Sequence, residues 1–418
     1  MRRSWLRRRG APLAFAAVLI LIVWVLARRD DPAPGTTTAS AATPASGLPF
    51  FGKIDDADLP LPDDRVRRRR ELLDRLALVD HTYCSYRAGS QYPAGSRPMT
   101  ENADQNTPNA QVTEVNPMRL DGGGSDAQVL VQTSQSRVYL AANEAVAFSL
   151  RVVDAGGRML PLVVTRALAR GMTYGAARPA PQVSVPFADD GGGADPVPND
   201  GAFAGVLAPA QTGLAGFNGT IRTEVRYAVG GRNGTVIFDV IHTPELPAVW
   251  SGPVREAVEN GSLNFYLKAE VRMPGRYIVS GRVDDARGKA VALLTFNDIL
   301  GPGPNEIRLT MFGKLVRDQM GSDNAAMPLT LRDVDGYLLK ENTDPDRALM
   351  PRLEGKVHTS KAYAPNGFSD AEWQSEERSR YLTEFAKDVG LARQALGEFD
   401  PAQPLPPSEC ASKTQTRP

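Results

Sequence analysis

Apolar and polar residues alternate with a period of two through two long regions of the chain, which is typical of β-strands that bury one face. Glycine-rich turns separate the alternating runs. In the first region the runs cover residues 127–133, 137–141, 145–153, 159–165, 182–187, 202–207, 220–229 and 235–241; in the second they cover 262–271, 276–283, 290–296, 306–312 and 329–338. Short strands of this kind predict an all-β fold with two β-sandwiches, over residues 125–243 and 244–340.

The last two runs of the first region are joined by the clearest turn signal in the chain. Asn233-Gly234 lies between them. A two-residue type I′ turn needs a positive φ at both central residues, which asparagine and glycine tolerate. We therefore expect a tight hairpin that turns at Asn233 and Gly234. Pro244 and Pro247 follow and separate the two predicted sandwiches.

Helical patterns flank the two β regions. Residues 63–124 are predicted to form a short helix, from Asp63 to about Val79, and then a polar, proline-containing loop. Residues 341–418 are predicted to form a tail with one amphipathic helix over residues 369–396. Ser369 and Glu372 have the spacing of a capping box for that helix.

An uncharged apolar run lies near the N-terminus, at residues 11–27. As a helix this run is ~25 Å long, close to the hydrocarbon thickness of a bilayer, about 30 Å. Arginines are abundant in residues 1–10, whereas the arginines after the run are followed at once by aspartates. The positive-inside rule then predicts a transmembrane segment with residues 1–10 in the cytoplasm and the remaining chain outside.

Three interpretations of this run remain open, of which a buried core helix is disfavoured by the arginine-rich flank. As an uncleaved signal-anchor, it makes the chain a single-pass inner-membrane protein whose bulk is periplasmic. As a cleaved signal peptide, with Ala39-Ser40-Ala41 as the cleavage site, it gives a secreted protein. Residues 28–62 are rich in proline, alanine and threonine, which predicts a flexible linker. The inner membrane, contacted through residues 11–27, is therefore a predicted partner.

Charge and cysteine content refine this picture. Lys+Arg and Asp+Glu both number 48, so no overall positive field favours nucleic acid, and we predict no nucleic-acid partner. The chain has two cysteines, Cys84 and Cys410. In an oxidising compartment they form a disulfide that ties the start of the exported body to its tail, or they are two unrelated thiols.

Three stretches resemble a known group of proteins. Residues 138–148 resemble the opening strand pair of macroglobulin-like and bacterial Ig-like domains, with Asn143 where glycine is usual, and the following strand ends in Asp154-Ala155-Gly156-Gly157. Residues 189–203 and 274–283 are similar to acidic turns and strands of exported proteobacterial β-sandwich proteins. The resemblance covers about half the chain, residues 125–340, and implies that both sandwiches are Ig-like.

An acidic loop is the best candidate for a site. Its carboxylate and amide oxygens are the ligands that Ca²⁺ prefers, on a loop with three glycines, but the spacing is not that of an EF-hand. The alternative is an exposed turn, in which the same residue types are favoured for backbone reasons. The candidate calcium ligands are Asp189, Asp190, Asp195, Asn199 and Asp200.

Aromatic residues of the second β region offer another candidate. Trp250, Phe265, Tyr266 and Tyr277 are either core residues at period two or a surface on which sugar rings stack. The sequence has neither the HExxH nor the GxSxG motif, and we predict that the protein is not an enzyme and needs no cofactor. We expect a membrane-anchored envelope protein whose Ig-like domains bind another envelope protein or a second copy. The alternative is an exported module that binds calcium or carbohydrate.

Overall fold

A computed structural model describes residues 64–107, 110–173, 181–321 and 325–411. Its helices are α1 (Asp64–Gly89), α2 (Gly313–Gly321) and α3 (Glu376–Phe399). Its strands are β1 (Ser96–Pro98), β2 (Val112–Arg119), β3 (Ser125–Gln135), β4 (Tyr139–Ala141), β5 (Val146–Asp154), β6 (Leu162–Gly171), β7 (Gln182–Ser184), β8 (Phe187–Ala188), β9 (Phe203–Leu207), β10 (Gly219–Val229), β11 (Arg232–Thr243), β12 (Ala248–Trp250), β13 (Arg255–Glu259), β14 (Ser262–Val271), β15 (Gly275–Asp284), β16 (Ala290–Leu300), β17 (Gly303–Met311), β18 (Thr330–Leu339), β19 (Arg347–Leu349) and β20 (Leu353–Thr359).

The predicted cytoplasmic tip, transmembrane segment and linker, residues 1–62, lie outside the described residues. Among the helices that are described, none combines the length and the apolar character needed to cross a bilayer.

The first β region forms two five-stranded sheets. Sheet 1 has the order β2-β3-β5-β9-β8, and sheet 2 has the order β4-β11-β10-β6-β7. Inward-facing residues of both sheets form one apolar core, in which the rings of Phe148 and Phe238 are 4.6 Å apart between centroids. Because alternate residues of each strand point to the same side, the alternating runs bury their apolar members in this core. The prediction of a mainly β fold is confirmed.

The hairpin between β10 and β11 exists, but the prediction of its turn was wrong. Val229 pairs with Arg232, and the turn residues are Gly230 (φ 54°) and Gly231 (φ 79°), which have the positive φ values of a type I′ turn. The expected turn residue Gly234 lies instead inside β11, opposite Tyr227. Its position is set by packing, since a Cβ there would lie 2.6 Å from the Tyr227 ring.

Strand β2 was not expected, because its sequence was assigned to the polar loop. Seven of its eight residues are exposed, and only Met118 faces the core. With both faces of β2 so largely exposed, its sequence lacks the alternation from which a strand is predicted. Its pairing with β3, over Val112–Arg119, places it at one edge of sheet 1.

The second β region also forms two sheets around one core. One sheet has the order β1-β16-β15-β18-β19, with β20 also paired to β18; the other has the order β12-β14-β13, with β17 paired to β14. Strands β19 and β20 lie beyond Lys340, so the sheet continues past the predicted boundary of the second sandwich. Both are short or irregular in register, and their alternation is correspondingly weak in the sequence.

The two flanking helices pack against each other, and α1 is longer than expected. Leu72 and Leu76 of α1 contact Ala392 and Leu396 of α3 in a separate small core. Helix α1 runs ten residues beyond Val79, because its second half packs against α3 through Tyr86 and the rings of Tyr381 and Phe385. A disulfide joins Cys84 to Cys410, with a Cα–Cα distance of 5.3 Å.

Helix α3 begins at Glu376, so the prediction of a start at Ser369 was wrong. Its N-cap is Ser375, whose side-chain oxygen accepts a hydrogen bond from the backbone N–H of Arg378 at 3.0 Å. The backbone N–H of Ser369 is instead bonded to the carbonyl of Gly261 at 2.9 Å. This tertiary contact holds residue 369 in a non-helical segment.

Charged contacts join the two sandwiches. The Glu144 carboxylate accepts a backbone hydrogen bond at 2.9 Å from the first sandwich and lies 3.5 Å from the Arg352 guanidinium of the second. The Arg347 guanidinium lies over the rings of Tyr139 and Tyr337, 4.7 and 4.8 Å from their centroids. These contacts orient one sandwich against the other.

Candidate functional site

The acidic loop between β8 and β9 brings three of the five predicted calcium ligands together. Asp189, Asp195 and Asp200 each place a carboxylate oxygen within 4.8 Å of the others, and the Asp195 side chain is buried. The other two residues are outside this group. Asp190 accepts a hydrogen bond from the backbone N–H two residues later, and Asn199 has the left-handed φ of 58°.

Backbone hydrogen bonds occupy the oxygens of this loop. Asp195 accepts from Gly191 N at 2.7 Å, and Asp189 accepts from the N–H groups of Asp200 and Gly201 at 3.1 and 2.9 Å. Such bonds are those of turns in which an aspartate organises the backbone. Three carboxylates also supply only part of the about six to eight oxygens that Ca²⁺ takes. Calcium binding here stays a prediction.

The described histidines are held in structural networks. His242 is buried, with Nδ1 2.7 Å from the Phe217 carbonyl, and its burial lowers its pKa. His358 bonds to the Glu256 carboxylate, which also accepts from the Lys361 backbone N–H at 2.6 Å. Burial acts to raise the pKa of Glu256, but these hydrogen bonds lower it on balance. Glu256 therefore joins β13 to β20.

The aromatic surface proposed for sugar stacking is not formed. Phe265 and Tyr277 are fully buried in the second core, and Tyr266 is 8% exposed, covered by the Arg255 guanidinium 3.6 Å above its ring. The Trp250 indole N–H donates to a backbone carbonyl at 2.7 Å. Phe265 and Tyr277 face the core of the second β region. Tyr266 follows Phe265 in β14 and therefore lies on the opposite face of its sheet, under the Arg255 side chain.

A groove of about 450 Å³ lies between the two sheets of the first sandwich. Its walls are β2 and the first half of β11. Its apolar floor includes the buried side chains of Val131 and Tyr227 and the partly buried Val236. Ile237 of β11, which also lines the groove, is 40% exposed. We call this feature the β11 groove.

One wall of the β11 groove is an open strand edge. The carbonyls of Asn233 and Asp239 accept hydrogen bonds at 3.2 and 3.0 Å from groups outside β10, and the Ile241 N–H donates to residue 138 at 2.8 Å. No register shift interrupts the pairing of β10 with β11. In an antiparallel pair, every second residue of a strand directs its backbone N–H and C=O to the same side. Thr235 and Ile237 lie in this series with Asn233, Asp239 and Ile241, so their backbone groups also point away from β10. These groups have no hydrogen-bond partner in the described parts of the chain.

The floor of the groove contains an unsatisfied hydroxyl. Tyr227 is 1% exposed, and its hydroxyl oxygen has no hydrogen-bond partner among the described residues. It lies against Gly234, where a Cβ would be 2.7 Å from the hydroxyl oxygen. Burial raises the pKa of Tyr227 to about 12. A buried polar group without a partner is costly, and such groups are rare in native proteins.

Sequence reasoning missed the β11 groove because β2 carries no strand signal. The alternation of β11 does indicate a half-buried strand, but an unpaired edge depends on which strands lie beside it. The only local sign was the glycine at residue 234, which lies within an alternating run.

The described part of the chain is thus a mainly β protein with two β-sandwiches and an open strand edge. No known protein family matches the sequence, and no curated protein is similar enough to count as a relative. Solved structures align at low similarity. A DUF4785 family protein from Legionella pneumophila is 12% identical, and the alignment covers 55% of this chain and 57% of that protein with a TM-score of 0.37.

Two further structures cover similar shares of this chain. The Yersinia pseudotuberculosis adhesin InvE is 12% identical over 53% of this chain and 57% of its own, with a TM-score of 0.17. The α-2-macroglobulin of E. coli is 12% identical over 60% of this chain and 18% of its own, with a TM-score of 0.25. The chain therefore spans just over half the length of the first two structures. At these TM-scores, the description of the fold rests on the sheets themselves.

Proposed function

We propose that this protein is a non-catalytic envelope protein that binds another polypeptide by accepting an extended segment at the edge of β11. In this proposal residues 11–27 anchor the chain in the inner membrane, and residues 28–62 hold the sandwiches away from the membrane in the periplasm. The occupant of the β11 groove is a segment of another envelope protein.

The observation that carries the proposal is the unpaired backbone of Thr235 and Ile237 above an apolar floor. An extended peptide offers N–H and C=O groups with the same ~6.8 Å repeat, so it can continue the ladder of sheet 2. Strand addition of this kind takes affinity from backbone bonds and specificity from pockets for alternate side chains. Val131 and Val236 supply such a pocket.

Photo-crosslinking in cells tests the proposal at the groove itself. A photoreactive amino acid replaces Asn116, which lines the groove from β2, and the same residue replaces Ile299, which is 71% exposed on the second sandwich. We expect a discrete adduct from position 116 and none of that mass from position 299. Mass spectrometry of the adduct identifies the occupant, including the case in which it is a second copy of this chain.

A blocking variant makes this test specific. Ile237→Pro removes an N–H that points away from β10, so the ladder between β10 and β11 keeps its bonds. Ile237→Lys keeps the N–H but places a charge over the apolar floor. We expect each variant to abolish the adduct from position 116 while leaving the thermal melting curve unchanged. An adduct that persists at full yield in well-folded variants would refute strand addition.

The location is tested separately. A reporter enzyme that is active only in an oxidising compartment, fused after Pro418, is expected to be active. If a reporter at this position works only in the cytosol, the membrane anchor and periplasmic location are wrong, whatever the outcome of the crosslinking.

A further inference from the structure

The outer face of sheet 2 places arginines directly opposite each other on neighbouring strands. Strand register pairs Arg222 with Arg170, Arg226 with Arg166, and Glu224 with Leu168. Because side chains at alternate positions share a face, all of these point to the outside of the sandwich. The arginine face consists of Arg166, Leu168, Arg170, Arg222, Glu224 and Arg226.

Two of these arginines lack a counter-charge. Arg222 forms a bidentate pair with Asp239 at 2.8 and 2.7 Å, and Arg226 bonds to Glu224 at 2.8 Å. Arg166 and Arg170, on β6, have no ion pair in the described parts of the chain. Like charges directly opposite each other on neighbouring strands are destabilising. A bound anion at each pair would remove this repulsion.

A shallow cavity of about 240 Å³ connects the two unpaired arginines. Besides them, it is lined by Leu168, Gln182, Glu224 and Arg226. Arg166 and Arg170 are four residues apart on a strand, so their Cα atoms are ~13 Å apart. The Glu224 carboxylate lies between the two arginine pairs, and only one of its oxygens is bonded to Arg226.

We propose that the arginine face binds an acidic polysaccharide in which acidic sugars alternate with neutral ones. Each guanidinium of Arg166 and Arg170 presents the planar fork that matches a carboxylate. Two acidic groups separated by a neutral sugar engage the two arginines. The neutral sugar lies over Leu168, and its hydroxyl groups donate to the free oxygen of Glu224.

The position of Glu224 selects against densely charged polymers. Double-stranded DNA carries a charge every ~1.7 Å of helix axis. A polymer of such density places negative groups against Glu224. The cavity lining contains no aromatic ring on which an exposed base could stack, the feature that single-stranded nucleic acid uses. A polymer with hydroxyl groups between spaced acidic groups matches the arginine face, on which Glu224 lies between Arg166 and Arg170.

Calorimetric titration of the full chain with defined glycans tests the proposal. The probes are a hyaluronan octasaccharide, in which acidic and neutral sugars alternate, polygalacturonate, in which every sugar is acidic, and neutral dextran. We expect hyaluronan to bind and dextran not to bind. The double variant R166A/R170A is expected to weaken hyaluronan binding at least tenfold, about 1.4 kcal/mol.

A control removes the same number of exposed arginines elsewhere on the protein. R272A/R276A, on the second sandwich, is expected to change the affinity less than twofold. R166K/R170K keeps the charges but loses the planar forks, and we expect an affinity between those of the wild type and R166A/R170A. Unchanged melting temperatures show that all three variants remain folded.

Charge spacing is tested with Glu224→Gln. Removing the carboxylate is expected to raise the affinity for polygalacturonate. The ratio of variant to wild-type affinity should be at least fivefold larger for polygalacturonate than for hyaluronan. Equal loss of hyaluronan binding in R166A/R170A and R272A/R276A would overturn the proposal, since binding would then depend on total charge. A dextran affinity equal to that of hyaluronan, or an equal response of both acidic glycans to Glu224→Gln, would also overturn it.

Discussion

Replacement of Tyr227 by phenylalanine is expected to stabilise the protein, although tyrosine is buried at this position. The Tyr227 hydroxyl is buried without a hydrogen-bond partner among the described residues. Leaving a polar group unsatisfied in the interior costs about 1–3 kcal/mol. Tyr227→Phe removes this cost and leaves the ring in place. We therefore expect the free energy of unfolding to rise by about 1 kcal/mol or more, which corresponds to about 2–4 °C in melting temperature.

Tyr277 provides a matched control. It is also fully buried, and burial raises its pKa to about 12, as for Tyr227. Its hydroxyl, however, donates to the Met273 carbonyl at 2.6 Å, and the Pro247 carbonyl lies 3.0 Å away. Tyr277→Phe leaves these carbonyls without that donor, so we expect a loss of about 1–2 kcal/mol.

Urea denaturation of the wild type and both variants, followed by fluorescence and circular dichroism, measures whether each substitution raises or lowers the free energy of unfolding. The same m-value in all three proteins is needed for the comparison. A loss of stability in Tyr227→Phe equal to that in Tyr277→Phe would refute the reasoning, because the hydroxyl of Tyr227 would then have a stabilising partner. In the crosslinking experiment, Tyr227→Phe also reports whether the occupant of the β11 groove bonds to this hydroxyl.

Three further predictions concern the disulfide, the acidic loop and alkaline pH. The disulfide closes a loop with a sequence separation of 326. Replacing Cys84 and Cys410 by serine is therefore expected to lower the free energy of unfolding measured in urea, and the chain entropy of the loop limits this loss to about 5–6 kcal/mol. Equal stability of the oxidised and reduced wild type would contradict this. Asp195→Asn removes an acceptor for a backbone N–H and is expected to cost about 1–3 kcal/mol in the presence of a chelator. A loss that appears only in millimolar calcium would instead indicate a cation site. Burial raises the pKa of Tyr227 and Tyr277 from 10.0 to about 12 in the folded protein. The stability that depends on their protonated form is therefore complete below pH 10 and is lost as the pH rises toward 12. The melting temperature should fall over this pH range, and it should fall less when both residues are phenylalanine.

Regular alternation predicted the central strands well. The run 262–271 coincides with β14, and the run 145–153 differs from β5 by one residue at each end. These strands bury one face in a core, and that burial imposes the period-two pattern from which they were predicted. The largely exposed β2 and the three-residue β19 were missed because neither carries an alternating run long enough to mark a strand.

The acidic loop shows how far residue types can indicate a site. The sequence identified five oxygen-bearing residues, but only the folded loop brings the carboxylates of Asp189, Asp195 and Asp200 together. Asn199 has a different role, since its φ of 58° makes it a backbone turn residue. Residue chemistry was therefore visible in advance, whereas the directions of the side chains depended on the path of the backbone.

The sequence by itself determined the mainly β architecture, the two regions of strands and the presence of helices at both ends, because these follow from local periodicity. The tertiary structure alone decided that Gly230 and Gly231 make the hairpin turn, that Ser375 caps α3, and that the edge of β11 stays open. These features depend on contacts between residues far apart in the chain. A local pattern states which face of a strand is buried, but not which strand, if any, lies beside it.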